Sequence, residues 1–437
     1  MTQTLGRVST LLLAVAILLV GHGLQLTLLP MRAEALGWST GAIAVTGSAY
    51  FLGFVMGCLV IPSIVSRVAH IRTFMVMGAL ATVALLGVGI FDLLPAWLVL
   101  RFGTGFAFAG LYMVIESWLS EAAPAERRGT VLAVYSMISL LAMMVGQSFL
   151  GLAGAEDLEL LMGAACILVL AIVPIGLTRM APPQPIPRAR FSPRVLVRAS
   201  RVAVVCAFFG GMVTGSFWSV GPLVGRAFGL DNAGIGAMMG VAIVGGALAQ
   251  FPAGRLSDRA DRRWVIAGMF TLGATLCAVG WWFSAMSSAA LYVTMFFVGA
   301  TAMPIYALCI VTAADNADVP LIQVASGILI VNSLGSILGP LLVSPLVAGM
   351  GGEGFFLFVL TTMAAGAGWA FYRISVIERP KVHDQRFIAV PKTSIVATTL
   401  AGPVDVPVPV SQDGREEDAS AALPSARRTV SATTSGR

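Results

Sequence analysis

Twelve apolar runs alternate with short polar connections between residues 11 and 372. About 20 apolar residues cross a bilayer as a helix. Backbone groups in lipid must be satisfied internally, which leaves helices or closed barrels, and these runs are too long and too uniformly apolar for barrel strands. The pattern predicts helices near 11–29, 41–64, 73–91, 96–119, 130–153, 159–178, 202–225, 234–254, 264–285, 289–312, 321–347 and 354–372. The expected fold class is an all-α membrane protein. The first run lacks a small-residue cleavage site and leads into Pro30-Met31-Arg32, so it reads as a retained helix.

The runs fall into two matching sets. Subtracting 192 from Pro222, Ala227, Gly229 and Ile235 gives Pro30, Ala35, Gly37 and Ile43 with no gap. PMRAEALGWSTGAIA and PLVGRAFGLDNAGIG are thus corresponding pieces of two six-helix halves. Internal repeats of this kind mark transporter folds. The halves are expected at 1–178 and 202–372, joined by a Pro/Arg-rich linker at 179–201. From 373 to 437 the chain turns to proline, serine, threonine and alanine without apolar periodicity, the composition of a disordered tail.

Charge orients the runs. With both termini inside, the inner connections carry Arg67, Arg72, Arg127, Arg128, six arginines from Arg179 to Arg201 and four from Arg255 to Arg263. The outer connections carry only Arg32 and Arg226. This is a positive-inside pattern, and it predicts an inner (cytoplasmic) membrane protein with cytoplasmic N- and C-termini. Only 11% of the residues are charged and 57% are hydrophobic, far from a soluble domain. The net charge of +6 sits in short loops, so the partners expected are the lipid bilayer and a small molecule, and no nucleic acid. Cys58, Cys166, Cys206, Cys277 and Cys309 all fall inside apolar runs with no C-x-x-C, which predicts buried free thiols. With three histidines in the chain, no metal and no cofactor are expected.

Between the eighth and ninth runs lies GRLSDRADRRW, with Arg255, Asp258, Arg259, Asp261, Arg262 and Arg263 packed into one connection. It resembles the short loop signature of the major facilitator superfamily, with Asp261 where that family usually has glycine. The same offset carries Asp258 and Arg259 onto Ser66 and Arg67 in the first half. The stretch VIESWLSEAAPAERRGTVLAVY, with AHIR after Val68, is similar to the YcaD-like branch of the superfamily. The resemblance implies a major facilitator fold that works as a monomer, a secondary transporter, and a vitamin-type substrate such as riboflavin.

Several residues are candidates for the work. In the loop, Asp258 is placed to accept from free amides at the start of the fifth helix, near Arg128, Gly129 and Thr130. Arg259, Arg262 or Arg263 is placed to pair with Asp315 and Asp318 at the end of the tenth, forming a conformational latch. The other reading of these arginines is headgroup anchoring. Arg101, in LVLRFGTGFAFAG, matches the superfamily's R-x-x-x-G pattern with Gly105. It either binds a substrate group, takes part in proton coupling, or snorkels to the outer interface. Glu116 lies about 22 Å along the same helix and is either a proton-coupling carboxylate or one half of a structural salt bridge.

His22 and Gln25, three residues apart, share a face of the first helix, while the matching positions in the second half are Thr214 and Phe217. They are substrate-binding candidates or an interhelical hydrogen-bond pair. Gln147 and Asn332 are similar candidates. Tyr112, Trp118, Phe217, Trp218 and Tyr306 lie at cavity depth and suit a flat ring, or are packing. The chain has no P-loop and no catalytic constellation, so it reads as a transporter driven by a gradient and not as an enzyme. The fifth helix, YSMISLLAMMVGQSFLG, lacks the Gly-Pro that exporters of the superfamily often carry, which leans against drug/proton antiport. The alternatives are proton-coupled efflux of drugs or metabolites, and a non-transporting sensor or assembly factor on the same scaffold.

Overall fold

A computed structural model describes residues 2–122, 128–154, 157–177, 193–284, 287–315, 317, 319 and 321–376. Twelve of its helices are long and apolar enough to cross a membrane. We number these spans α1 Thr2–Ala35, α2 Thr40–Val68, α3 His70–Ile90, α4 Leu94–Ala122, α5 Arg128–Ser148 and α6 Leu158–Gly176. The second set is α7 Arg201–Ala227, α8 Asn232–Arg259, α9 Arg262–Ser284, α10 Ser288–Ala314, α11 Leu321–Met350 and α12 Gly352–Val376. Most of the linker, 178–192, and the tail after 376 lie outside the described residues.

The boundaries differ from the hydropathy pattern in ways that have physical causes. The first helix does not stop at Leu29 but runs through Pro30 to Ala35, and its counterpart runs through Pro222 to Ala227. Proline removes one backbone donor, and neighbouring helices can re-satisfy the freed carbonyl inside a bundle. The fifth helix ends at Ser148, and Phe149–Leu152 tightens into a 3-10 turn. α12 extends four residues past the expected 372 to Val376. Within the linker, Pro193–Ala199 forms a short helix that the prolines alone did not suggest. Cys166 is exposed on α6, contrary to the expectation for all five thiols, while Cys58, Cys206, Cys277 and Cys309 are buried.

The sequence repeat is also a repeat of contacts. α2 crosses α4 so closely that a Cβ on Gly53 would overlap the Phe102 carbonyl oxygen, and one on Gly105 the Tyr50 carbonyl oxygen. α8 crosses α10 in the same way, with Gly245 against Phe296 and Gly299 against Ala242. Adding 192 to Tyr50 and Gly53 gives Ala242 and Gly245, while Phe102 and Gly105 match Phe296 and Gly299 at 194. Two residues have therefore entered the second half before its fourth helix. Small residues at crossings of this kind let backbones touch where no hydrophobic drive separates helix from lipid. The turns after α1 and α7 repeat as well: Gly37 and Gly229 both have φ +78°, and each donates its amide to the residue three before it, Glu34 or Arg226.

Candidate functional site

Helices from the two halves meet along α2 and α11, α5 and α8, and α1 and α7. Between them lies a cavity of about 180 Å³. Its wall is apolar and aromatic, with Tyr50, Phe51, Phe54 and Tyr112 from the first half and Trp218 and Tyr306 from the second. Polar groups are few: His22, Ser136 and Ser139 on one side, and Thr214, Gln250 and Asn332 on the other. No Asp, Glu, Lys or Arg lines it. Tyr112 and Tyr306 stand at matching positions under the offset of 194, so the two halves present a phenol each.

The first half also carries a polar cluster that the second lacks. Gln25 Nε2 donates to His22 Nδ1 at 2.9 Å. The Tyr50 hydroxyl lies 3.4 Å from His22 Nε2, and Phe108 stacks on the imidazole with ring centroids 3.8 Å apart. Arg101 is only 4% exposed, and its guanidinium carbon sits 4.9 Å from the centroid of the Tyr50 ring. A cation over an aromatic face at this range is attracted by the ring quadrupole. Arg101 is therefore not snorkelling, because α2 and Tyr50 cover it. Its Nε and Nη1 have no hydrogen-bond partner among the described residues.

The structure thus separates the candidates. His22, Tyr112, Trp218, Tyr306 and Asn332 line the cavity; Gln25, Arg101, Glu116 and Gln147 do not. Gln147 Nε2 donates to the Gly23 carbonyl at 2.8 Å, joining α5 to α1. Asn332 Nδ2 donates to the Ala207 carbonyl at 2.8 Å, joining α11 to α7. Glu116 is wholly buried and accepts from the Tyr135 hydroxyl at 2.9 Å. Trp118 and Phe217 are buried in the core and do not reach the cavity wall. Tyr50, Ser136 and Ser139 were missed. The serines fall three apart in an otherwise apolar stretch, SMISLLAMMV, a legible signal for one polar face. Tyr50 had no signal, since its counterpart is Ala242.

Polar contacts join the halves at one end of their interface. Arg226 Nε lies 3.8 Å from Glu34 Oε2, and Arg226 Nη2 donates to Asn232 Oδ1 at 2.7 Å. Asn232 Nδ2 in turn donates to the Ala153 carbonyl at 3.2 Å, and Ser48 Oγ donates to the Ile337 carbonyl at 2.7 Å. Backbones touch there too, with Gly236 of α8 against the Gln147 carbonyl.

At the arginine-rich end, Arg262 is the centre of the loop. It is 1% exposed, donates to Asp315 Oδ1 at 2.9 Å, and lies 3.6 Å from Asp258. Arg263 instead pairs with Asp261 at 2.8 Å, and Arg259 is exposed. The Arg262 triad ties α8, α9 and α10 of one half together. Asp318 lies outside the described residues, and the start of α5, toward which Asp258 was expected to bond, borders the undescribed 123–127. Ser66, at the place matching Asp258, donates to its own helix at the Ser63 carbonyl. Among the described residues no cluster of three His, Cys, Asp or Glu side chains is placed to hold a metal ion.

Comparison with known proteins agrees with this architecture. The model of the family described as "Major Facilitator Superfamily" matches the chain twice, over residues 11–204 and 203–408. An "Uncharacterized MFS-type transporter YcaD" of Salmonella arizonae is 25% identical over 80% of this chain and 92% of its own length. The protein of the same description from Salmonella typhimurium is 26% identical over 72% of this chain and 82% of its own. Among solved structures, the nucleoside transporter NupG superposes with a TM-score of 0.67 at 12% identity, covering 85% of this chain and 99% of that one. A bacterial homologue of the human lysosomal transporter Spinster, inward-facing and occupied, superposes with a TM-score of 0.69 at 15% identity over 85% and 97%.

Proposed function

From the premise that the chain belongs to the major facilitator superfamily, as a YcaD-like transporter, we infer that it takes up a small, uncharged, ring-containing solute, with riboflavin as the specific candidate. The observation that carries this is the cavity between the halves: six aromatic side chains and no charged one. An apolar, aromatic wall with a few convergent polar groups suits a flat heterocycle, and a charged solute entering it would lose hydration without a counter-charge. Alternating access exposes such a midplane site to each side in turn as the halves rock. The tie through Glu34, Arg226, Asn232 and Ala153 supports a state sealed at the outer end. The arginines of the loop connections support an inner-membrane placement with both termini in the cytoplasm. In this reading the Arg262 triad stiffens the second half, and Asp258 acts in the latch between the halves.

A second reading is proton-coupled efflux, favoured by the buried carboxyl of Glu116. An ionisable group inside a membrane bundle is a candidate proton carrier. Growth of a riboflavin-auxotrophic bacterium on low external riboflavin separates the two. Rescue by this chain, weakened by Asp258→Asn, supports uptake. Absence of rescue by well-expressed protein removes the flavin assignment and turns attention to efflux.

A further inference from the structure

We propose that the cavity recognises a planar heterocycle bearing at least two carbonyl-type acceptors, read by the hydroxyls of Tyr50 and Tyr306 from opposite halves. The proposal rests on the transporter reading above and narrows its substrate class. The amide nitrogen of Gln25 can only donate. His22 Nδ1, 2.9 Å away, must therefore offer its lone pair, and an imidazole that accepts at Nδ1 is neutral and carries its proton on Nε2. That Nε2–H points at the Tyr50 oxygen, a long 3.4 Å away. With its oxygen serving as acceptor, Tyr50 keeps its own hydroxyl proton for another group, and no acceptor for it is found among the described residues. Arg101 over the ring draws electron density from the phenol and makes that proton a better donor. Arg101 is a positioning residue here, since Tyr50 stands between it and the cavity.

Tyr306 arrives at the same donor from the other half. It is 4% exposed, lines the cavity, and its hydroxyl has no hydrogen-bond partner among the described residues. Asn332 adds an unpartnered Oδ1 on the same wall, its amide nitrogen being spent on Ala207. Buried polar groups are satisfied in the great majority of cases, and each exception asks for a missing partner. Two phenolic donors and one amide acceptor around an uncharged, aromatic cavity match a neutral cyclic amide or imide edge, with its carbonyls toward the tyrosines and an N–H toward Asn332. A ligand held in this way bridges α2 and α10, so its binding links the two halves. A cationic or purely hydrocarbon ring leaves all three groups unpaired.

The test is equilibrium dialysis of the purified full-length chain against four probes. Riboflavin, lumichrome and uridine carry two ring carbonyls, while naphthalene is flat and carries no hydrogen-bond acceptor. Tyr50→Phe and Tyr306→Phe keep the aromatic wall and remove only the hydroxyl. At least one dicarbonyl probe is expected to bind wild type, and to bind each Phe variant about tenfold more weakly, the worth of one hydrogen bond. Naphthalene affinity should not change with either substitution. Lumichrome or uridine behaving so while riboflavin does not bind would retire the riboflavin assignment and keep this inference. Riboflavin bound equally by wild type and both variants would keep that assignment and overturn the inference. It is also overturned if no dicarbonyl probe binds, or if naphthalene binds as well as they do and loses as much in the variants.

Discussion

Replacing Asp315 with Asn should damage the folded protein far more than replacing Asp258, although both carboxylates face the same arginine. Arg262 is 1% exposed, and its short bond, 2.9 Å, is to an Asp315 side chain that is itself only 6% exposed. Asp258 is 3.6 Å away and 35% exposed, where water screens the pair. Removing one partner of a buried pair costs about 3–5 kcal/mol because the other charge is left without compensation. Asp258 remains as a second, weaker partner, so the loss for Asp315→Asn should be about 2–3 kcal/mol. Asp258→Asn should cost less than about 1 kcal/mol, as exposed pairs do. The assay is heating of the detergent-solubilised chain, following the fraction that stays monodisperse. Arg262→Met combined with Asp315→Leu should recover much of the loss, since apolar groups of similar volume need no counter-charge. Equal loss from the two single substitutions, or a larger one from Asp258→Asn, would refute the ranking and the burial argument under it.

Three further outcomes follow from the packing. Gly105→Ala should abolish monodisperse protein because its Cβ overlaps the Tyr50 carbonyl oxygen, whereas Gly103→Ala, with nothing within 4 Å, should express as wild type. Size-exclusion profiles of the two decide it. Arg226→Gln should loosen the outer seal, and a Ser219→Cys reporter, 3% exposed and packed by Gly47, should then react several-fold faster with an external membrane-impermeant maleimide. An unchanged rate would mean that the glycine contacts hold the seal without the ion pair. In the membrane-embedded folded chain maleimide should leave all five thiols unmodified, because four are buried and Cys166 lies mid-span on α6 facing lipid, where no thiolate forms, and it should modify all five after denaturation, as read by intact mass.

Much of the fold is written along the chain because the membrane enforces it. Span length and the offset of 192 place the helices and pair the halves, and the matched φ of Gly37 and Gly229 shows that the offset carries geometry as well as letters. The site was less legible. Arg101 looked shallow enough to reach an interface, and only the fold of Tyr50 across it makes it a buried cation. Gln25 and Gln147 look like ligand groups in one dimension, yet one is occupied by His22 and the other by the Gly23 carbonyl. Tyr50 could not be singled out from a pattern, because its role comes from a crossing of α2 and α4 whose equivalent in the second half carries alanine. Pairing in the loop followed a similar course. Charge matching pointed to Asp315, but burial selected Arg262 among three neighbouring arginines.

The central claim is that a flat, uncharged solute passes through the cavity as the halves rock. Counterflow tests it most directly, because exchange needs alternating access and no knowledge of the coupling ion. Proteoliposomes holding the full-length chain and preloaded with unlabelled riboflavin are diluted into labelled riboflavin. A transient accumulation of label above equilibrium, reduced by Trp218→Ala at the cavity wall, is the result expected. Label that only equilibrates at the rate of protein-free vesicles, with monodisperse protein in the membrane, would contradict the account for this solute.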